Sequence, residues 1–214
     1  MLRIENAKLS YSNKPPLFSS LSLSFQSGSL YHLQGRSGVG KTTFLRALAD
    51  LLNLNSGHIL LEGVGLESLK PIEIKRRILY LSSDPWLIEG TVFTNLILPF
   101  QFQSRKGDPP PSEEKLRKLM DEFNLSEVTL EDSPKRLSHG QKQCLSLLRG
   151  VLLEPKVLLV DELLSGVDIE TQEKILTFLI TWVREKRNLV ILTKHGSLPL
   201  SFHSYQEVKL RGDE

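Results

Sequence analysis

A glycine-rich segment at residues 35–42, GRSGVGKT, constrains the fold of this chain more than any other feature. An apolar stretch typical of a β-strand, Leu30–Gln34, precedes it, and a helical pattern begins at Lys41. Glycines at this spacing let the backbone fold tightly with its amides directed inward at a helix N-terminus, as in a phosphate loop. We therefore expect phosphate contacts from this segment and the residue after it: Gly35, Arg36, Ser37, Gly38, Val39, Gly40, Lys41, Thr42 and Thr43.

A second motif contributes two acidic side chains to the predicted phosphate site. The apolar run Val157–Val160 is typical of a buried strand and ends in Asp161 and Glu162. The carboxyl end of such a strand is where α/β sheets bind ligands, although acids also end strands at protein surfaces. Lys41 would contact the β and γ phosphates. Mg²⁺ is expected on Thr42 and Asp161, with Glu162 polarising an attacking water.

The remaining patterns predict an α/β fold interrupted by a mostly helical insertion at roughly residues 86–150. The chain length, 214 residues, favours a single domain over 1–214. A proline-rich loop precedes Ser112, which is expected to cap a helix. Strands are predicted at Leu2–Leu9, Leu21–Phe25, His58–Gly63, Ile78–Leu81 and Leu189–Thr193, and helices at Lys41–Leu52 and about Glu170–Lys186.

The charge balance and hydropathy exclude several classes of protein. Lys and Arg total 27 against 25 Asp and Glu, so no cation excess favours nucleic-acid binding, and no nucleic-acid partner is expected. No apolar run approaches the roughly 18 residues of a membrane-spanning helix. The N-terminus lacks the form of a signal peptide, so we expect a cytoplasmic protein.

Residues 137–141, LSHGQ, lie at the start of an apolar helical pattern and before Asp161. With this signature segment the chain resembles the ATP-binding cassette (ABC) transporter ATPases, whose pattern is Leu-Ser-Gly-Gly-Gln. The resemblance covers nearly the whole chain. It implies a P-loop NTPase fold of the ABC type, with a RecA-like core, an N-terminal antiparallel β subdomain and an inserted helical subdomain.

The resemblance also implies roles for individual residues. Tyr11 occupies the place of an aromatic residue that stacks on adenine, although a tyrosine at a strand end also serves packing alone. His195 matches the switch histidine, which with Glu162 and Lys41 completes the catalytic set; a lone histidine after a strand is otherwise a structural residue. The signature segment would close over ATP held by a second subunit, and a dimer-contact loop follows Asp161. The residues implied are Ser138, Gly140, Gln141 and Asp168.

Two positions depart from the family pattern. Ser83 stands where the family has a glutamine that touches Mg²⁺ and the membrane partner, and a serine hydroxyl reaches less far. His139 replaces a glycine of the signature segment. It is either a solvent-facing replacement or a titratable group placed near the partner's γ-phosphate.

The implied function is ATP binding and hydrolysis with Mg²⁺ by a nucleotide-dependent homodimer. This dimer would power an integral-membrane permease and be peripheral on the inner face of the cell membrane through it. Residues 68–71, 90–92 and 95–100 resemble the ATPases of bacterial iron-export systems. Two alternatives remain open from the sequence: a soluble cassette ATPase acting on DNA or ribosomes, and a phosphate-loop kinase.

Overall fold

The computed structural model describes residues 1–10, 16–105, 107–199 and 205–210. The described chain forms two sheets and six α-helices. The strands are β1 Leu2–Leu9, β2 Phe18–Phe25, β3 Ser29–Gln34, β4 Ser56–Leu61, β5 Val64–Gly65, β6 Ile78–Leu81, β7 Val157–Asp161, β8 Leu189–Thr193 and β9 Gln206–Lys209. The helices are α1 Lys41–Leu48, α2 Pro71–Arg77, α3 Val92–Ile97, α4 Glu113–Glu122, α5 His139–Leu152 and α6 Ile169–Lys186.

The larger sheet is parallel, with strand order β6-β7-β8-β3-β9. All five residues of β7 and all five of β8 are buried, as expected for strands covered on both faces. Because every pair is parallel, the carboxyl ends of β3, β7 and β8 lie at one edge of the sheet. This edge brings together the phosphate loop after β3, Asp161 at the end of β7, and Thr193 at the end of β8.

The smaller sheet is antiparallel, with order β2-β1-β4-β5. Its core side chains join α1 and one face of the parallel sheet in a single apolar cluster, which includes Leu2, Phe25 and Phe44. A second cluster covers the opposite face with α3, α4, α5 and α6. The N-terminal antiparallel sheet and the mixed α/β architecture are therefore confirmed.

The helical insertion leaves the sheet after β6 and returns at β7, although these two strands are neighbours. The Ser112 hydroxyl accepts a hydrogen bond from the Lys115 amide (3.3 Å) and caps α4 as predicted. Leu116 and Met120 from this helix, and Phe123 directly after it, are buried. The limits of the helical subdomain, roughly 86–150, stay a prediction.

Several element boundaries differ from the sequence prediction. Helix α1 ends at Leu48 rather than Leu52, because the chain turns at Asp50 with a φ of 57°, which leaves Leu51 exposed. Strand β4 ends at Leu61, because Glu62 and Gly63 form the turn into β5. Strand β2 begins earlier than predicted, at Phe18.

No helix within the described ranges is long and apolar enough to cross a membrane.

Candidate nucleotide-binding site

The loop between β3 and α1 has the backbone geometry of a phosphate site. Gly38 and Gly40 have φ values of 80° and 99°, in the left-handed region that favours glycine. A Cβ on Gly40 would also lie 3.1 Å from the Leu17 side chain. The loop ends directly at the first turn of α1, so its amides lie at a helix N-terminus, where the helix dipole favours anions.

Lys41 folds back over this loop. Its ammonium group donates hydrogen bonds to the carbonyl oxygens of Gly35 (2.9 Å) and Arg36 (3.2 Å), and the residue is 8% exposed. The loop carbonyls thus hold the positively charged ammonium group of Lys41 at the phosphate loop. Thr42, half-buried, and Thr43, buried, follow in the first turn of the helix.

Two hydroxyl groups fix the carboxylate of Asp161, which is 3% exposed. Tyr80 from β6 donates to Oδ2 (2.9 Å), and Thr193 from β8 donates to Oδ1 (2.8 Å). Burial raises the pKa of Tyr80, and the Asp161 carboxylate raises it further, so the phenol remains a donor at neutral pH. Each carboxylate oxygen keeps a lone pair for a metal ion or its water.

Glu162 leaves the strand direction immediately after Asp161. It has a φ of 53°, and its amide donates to the Thr193 carbonyl (3.2 Å) and hydroxyl (3.0 Å). Its carboxylate lies 3.0 Å from Nε2 of His195, whose side chain is 65% exposed. Left-handed geometry in a non-glycine residue is strained and frequent at functional sites. The acid and the predicted switch histidine are therefore in contact.

A cavity of about 370 Å³ lies between His195 and the phosphate loop. Gly35, Lys41, Lys194 and His195 line it. Burial lowers the pKa of nearby His32, so this imidazole is neutral and adds no charge beside the two lysines. Two lysine side chains thus give the cavity positive charge next to the Glu162–His195 pair, and positive charge favours the binding of a phosphate group.

The signature segment lines a separate cavity of about 690 Å³. Ser138 begins α5: its hydroxyl accepts from the Gln141 amide (3.2 Å), while the Gln141 side chain accepts from the Ser138 amide (2.9 Å). A Cβ on Gly140 would lie 3.1 Å from the Gly166 carbonyl oxygen, so glycine permits the close approach of α5 to that turn. The Ser138 hydroxyl keeps its own proton free to donate.

Asp168 lines the same cavity and caps α6 by accepting a hydrogen bond from the Thr171 amide (2.9 Å). This bond lowers the pKa of Asp168. Burial, with a contribution from Asp168, raises the pKa of the Cys144 thiol to about 12, so this cysteine is not a nucleophile at neutral pH.

The signature cavity and the phosphate-loop cavity have no lining residue in common. The residues predicted to hold ATP therefore fall into two groups on one chain. Lys41, Asp161, Glu162 and His195 come together, whereas the signature segment stands apart from them.

Three sequence predictions are not settled by this geometry. Ser83 is exposed beyond the end of β6, and within the described chain no hydrogen bond links it to Asp161 or Thr42. His139 is exposed at the start of α5. Tyr11 lies outside the described residues. Their proposed roles stay predictions.

Sequence reasoning missed Tyr80 and Thr193. Both lie on strands that flank β7, and both hold Asp161. Both residues lie near the carboxyl ends of predicted strands, which could have marked them as candidates. Their hydrogen bonds to Asp161, however, depend on which strands are neighbours in the sheet, and the sequence alone does not give this order.

A family model described as ABC transporter matches residues 18–165. The chain is 32% identical over 179 residues to the probable iron export ATP-binding protein FetA of Escherichia coli K12, covering 84% of this chain and 78% of that protein. It is 33% identical over 183 residues to the methionine import ATP-binding protein MetN of Clostridium tetani, covering 82% of this chain but 55% of MetN.

Solved structures share the fold. The cassette MJ0796, in a dimeric post-hydrolysis state with ADP and Pi, has a TM-score of 0.75 and 24% identity, covering 92% of this chain and 88% of that one. A bacterial Atm1-family ABC exporter with ATP bound has a TM-score of 0.77 and 21% identity, covering 89% of this chain and 34% of the exporter. The chain belongs to the ABC transporter family and is an ATPase of the cassette type.

Proposed function

We propose that this chain is the ATP-hydrolysing subunit of a transporter and drives a separate integral-membrane permease. The observation that carries the ATPase chemistry is the contact of Glu162 with His195 beside the cavity that Lys41 lines. A carboxylate, an imidazole and a lysine in this arrangement suit the attack of water on a γ-phosphate.

In the proposed reaction, Glu162 accepts a proton from the attacking water. The water oxygen bonds to the γ-phosphorus as the bond to the β–γ bridging oxygen breaks, which gives ADP and inorganic phosphate. Lys41 exchanges its carbonyl contacts for the β and γ phosphate oxygens and neutralises their charge. His195 holds the Glu162 carboxylate and the γ-phosphate in line.

The residues present fit Mg²⁺, because the Thr42 hydroxyl and the Asp161 carboxylate are the hard oxygen donors that this ion prefers. Bound there, the ion would offset negative charge on the phosphates. Asp161 is held in one orientation by two hydroxyl donors, so little side-chain entropy remains to be lost on metal binding. The role of Ser83 as a further ligand is part of the proposal.

The separation of the two cavities supports an active pair of subunits. ATP on one phosphate loop would reach the signature segment of a second copy, where the Ser138 hydroxyl and the start of α5 offer donors to the γ-phosphate. The negatively charged phosphates of the nucleotide would hold the phosphate loop of one copy against the signature segment of the other. We therefore propose a nucleotide-dependent homodimer.

An apolar groove of about 390 Å³ supports a protein partner for the helical insertion. Trp86 and Phe102 line it and are 67% and 53% exposed. Exposed aromatic side chains of this size are typical anchors of protein interfaces. We propose that the permease contacts the surface formed by residues 83–105, including the part of this groove that Trp86 and Phe102 line, and that it holds the chain at the inner face of the membrane.

The cargo proposed is a metal ion, with iron as the specific candidate. This step rests on FetA, whose description is probable iron export, and on the similar segments at residues 68–71, 90–92 and 95–100. MetN, described as a methionine importer, is similar to a comparable degree, so cargo and direction need their own test.

The groove proposal can be tested by affinity purification of the tagged chain from detergent-solubilised membranes of its own cells. The wild type should retain a polytopic membrane protein, and joint replacement of Trp86 and Phe102 by aspartate should reduce the yield of that protein at least about tenfold, since two anchors are lost. The matched control is Leu51→Asp, which alters another exposed apolar residue (57%) that does not line the groove.

Equal retention by wild type and double variant would overturn the groove as the contact. Recovery of the chain with ribosomes or DNA, and without any membrane protein, would overturn the transporter proposal itself. If the cargo is iron, iron-loaded cells should lose the metal faster with the wild type than with Lys41→Ala; equal loss would remove iron as the cargo.

A further inference from the structure

Tyr80 occupies a position between the nucleotide site and the groove. Tyr80 is one of the residues that line the groove, and its hydroxyl donates to Asp161 Oδ2 at 2.9 Å. We propose that Tyr80 is a positioning residue that holds the Asp161 carboxylate in the orientation needed for Mg²⁺. This inference rests on the proposed function.

Strand register explains how one side chain reaches the acid. Tyr80 pairs with Leu159, and Asp161 lies two residues further along β7 on the same face of the sheet. Two residues of a strand span about 6.6 Å. A tyrosine side chain is long enough to bridge this distance, so its hydroxyl reaches the carboxylate of Asp161. A phenylalanine ring at this position would lack the one atom that makes the contact.

The tyrosine ring is itself held in place. The Arg46 guanidinium lies 6.0 Å from the ring centroid, and Arg46 belongs to α1, the helix that begins at the phosphate loop. A cation over an aromatic face is attractive. Tyr80 therefore connects α1 to the carboxyl end of β7.

The bond to Tyr80 and the bond to Thr193 act on different oxygens of Asp161. With both present, rotation of the carboxylate about its Cβ–Cγ bond would break two hydrogen bonds. With Thr193 alone, Oδ2 loses its donor and the carboxylate can rotate about the remaining bond. The affinity for Mg²⁺ should then fall, because the orientation of the Asp161 carboxylate has to be fixed when the ion binds. The contacts of the protein to the phosphates themselves are unaffected.

The test is Tyr80→Phe, with the affinity for a fluorescent ATP analogue measured once in Mg²⁺ and once in EDTA. Affinity in EDTA should stay within about twofold of wild type, whereas the gain in affinity produced by Mg²⁺ should fall about 3- to 10-fold, the worth of one hydrogen bond. The Mg²⁺ concentration for half-maximal hydrolysis should rise by a similar factor, with kcat at saturating Mg²⁺ little changed.

Tyr31→Phe is the matched control. Tyr31 is buried, and its hydroxyl accepts a hydrogen bond from the Gln26 amide (3.0 Å), away from Asp161. This variant also loses one hydrogen bond and should show a wild-type Mg²⁺ response. Melting temperatures without nucleotide will show whether the two variants are comparably stable.

An unchanged Mg²⁺ response in Tyr80→Phe would overturn the positioning role. Equal loss of affinity in EDTA and in Mg²⁺ would overturn it too, because that pattern indicates general damage to the site. Failure of the wild type to bind the analogue under either condition would instead contradict the proposed function.

Discussion

Replacing Lys41 with alanine should weaken ATP binding by about 10- to 100-fold, since a charged hydrogen-bonding group contributes roughly 1.5–3 kcal/mol. Lys41 is 8% exposed, and its ammonium group donates to the carbonyls of Gly35 and Arg36. The ammonium group is thus already positioned at the loop, and alanine leaves the phosphates without this cation. Isothermal titration calorimetry with Mg·ATP measures the effect directly.

Lys75→Ala is the matched control for this variant. Lys75 lines the groove rather than the phosphate-loop cavity, so its loss should leave ATP affinity unchanged. A melting temperature close to wild type is needed for Lys41→Ala, because its side chain also ties two loop carbonyls. Near wild-type affinity in a folded Lys41→Ala protein would show that residues 35–42 are not the phosphate site.

Replacing Glu162 with glutamine should lower turnover by about 10²–10⁴-fold, the usual contribution of a general base. Glutamine keeps the size of the side chain and one acceptor oxygen, so the contact to His195 at 3.0 Å can be retained through that oxygen. It cannot take the proton of the attacking water. Binding of Mg·ATP through Lys41, Thr42 and Asp161 should survive. We therefore expect the rate of phosphate release to fall in this variant while the affinity for ATP stays close to wild type.

Because ATP persists in Glu162→Gln, the two-subunit state closed by Ser138 and Gln141 should accumulate. Size-exclusion chromatography in Mg·ATP should show a monomer-to-dimer shift that the wild type lacks or shows only transiently. Glu89→Gln, which removes an exposed carboxylate paired with Lys135 (2.6 Å), should behave as wild type. Full hydrolysis by Glu162→Gln would remove this residue from catalysis, and loss of ATP binding would make its role structural.

Local sequence patterns predict much of the fold and of the candidate site. The phosphate loop follows from glycine spacing between an apolar strand and a helix, and the structure places positive φ values at Gly38 and Gly40. The buried strands β7 and β8 follow from continuous apolar runs. Such features depend on neighbouring residues only, so they can be read without knowledge of the three-dimensional arrangement.

Other features depend on contacts between distant segments. The hydrogen bonds from Tyr80 and Thr193 to Asp161 exist because β6 and β8 lie on either side of β7, a strand order that periodicity does not contain. The end of α1 is a similar case. Leu51 continues the helical spacing of apolar residues in the sequence. The left-handed turn at Asp50 nevertheless ends the helical path of the chain, and Leu51 is exposed.

The central claim, that ATP is hydrolysed between the phosphate loop of one subunit and the signature segment of another, can be tested by mixing two inactive variants. Lys41→Ala disables the phosphate loop. Ser138→Asp disables the signature segment by placing a carboxylate against the γ-phosphate, and aspartate preserves the cap of α5. A mixed pair combines the intact loop of one chain with the intact signature segment of the other.

Phosphate release should therefore be measured for each variant alone and for an equimolar mixture. Each variant alone should be nearly inactive, and the mixture should recover up to about a quarter of wild-type activity, because half of random pairs are mixed and each contains one intact site of two. A mixture no more active than its components would contradict a site shared between subunits, and so would full activity of Ser138→Asp alone.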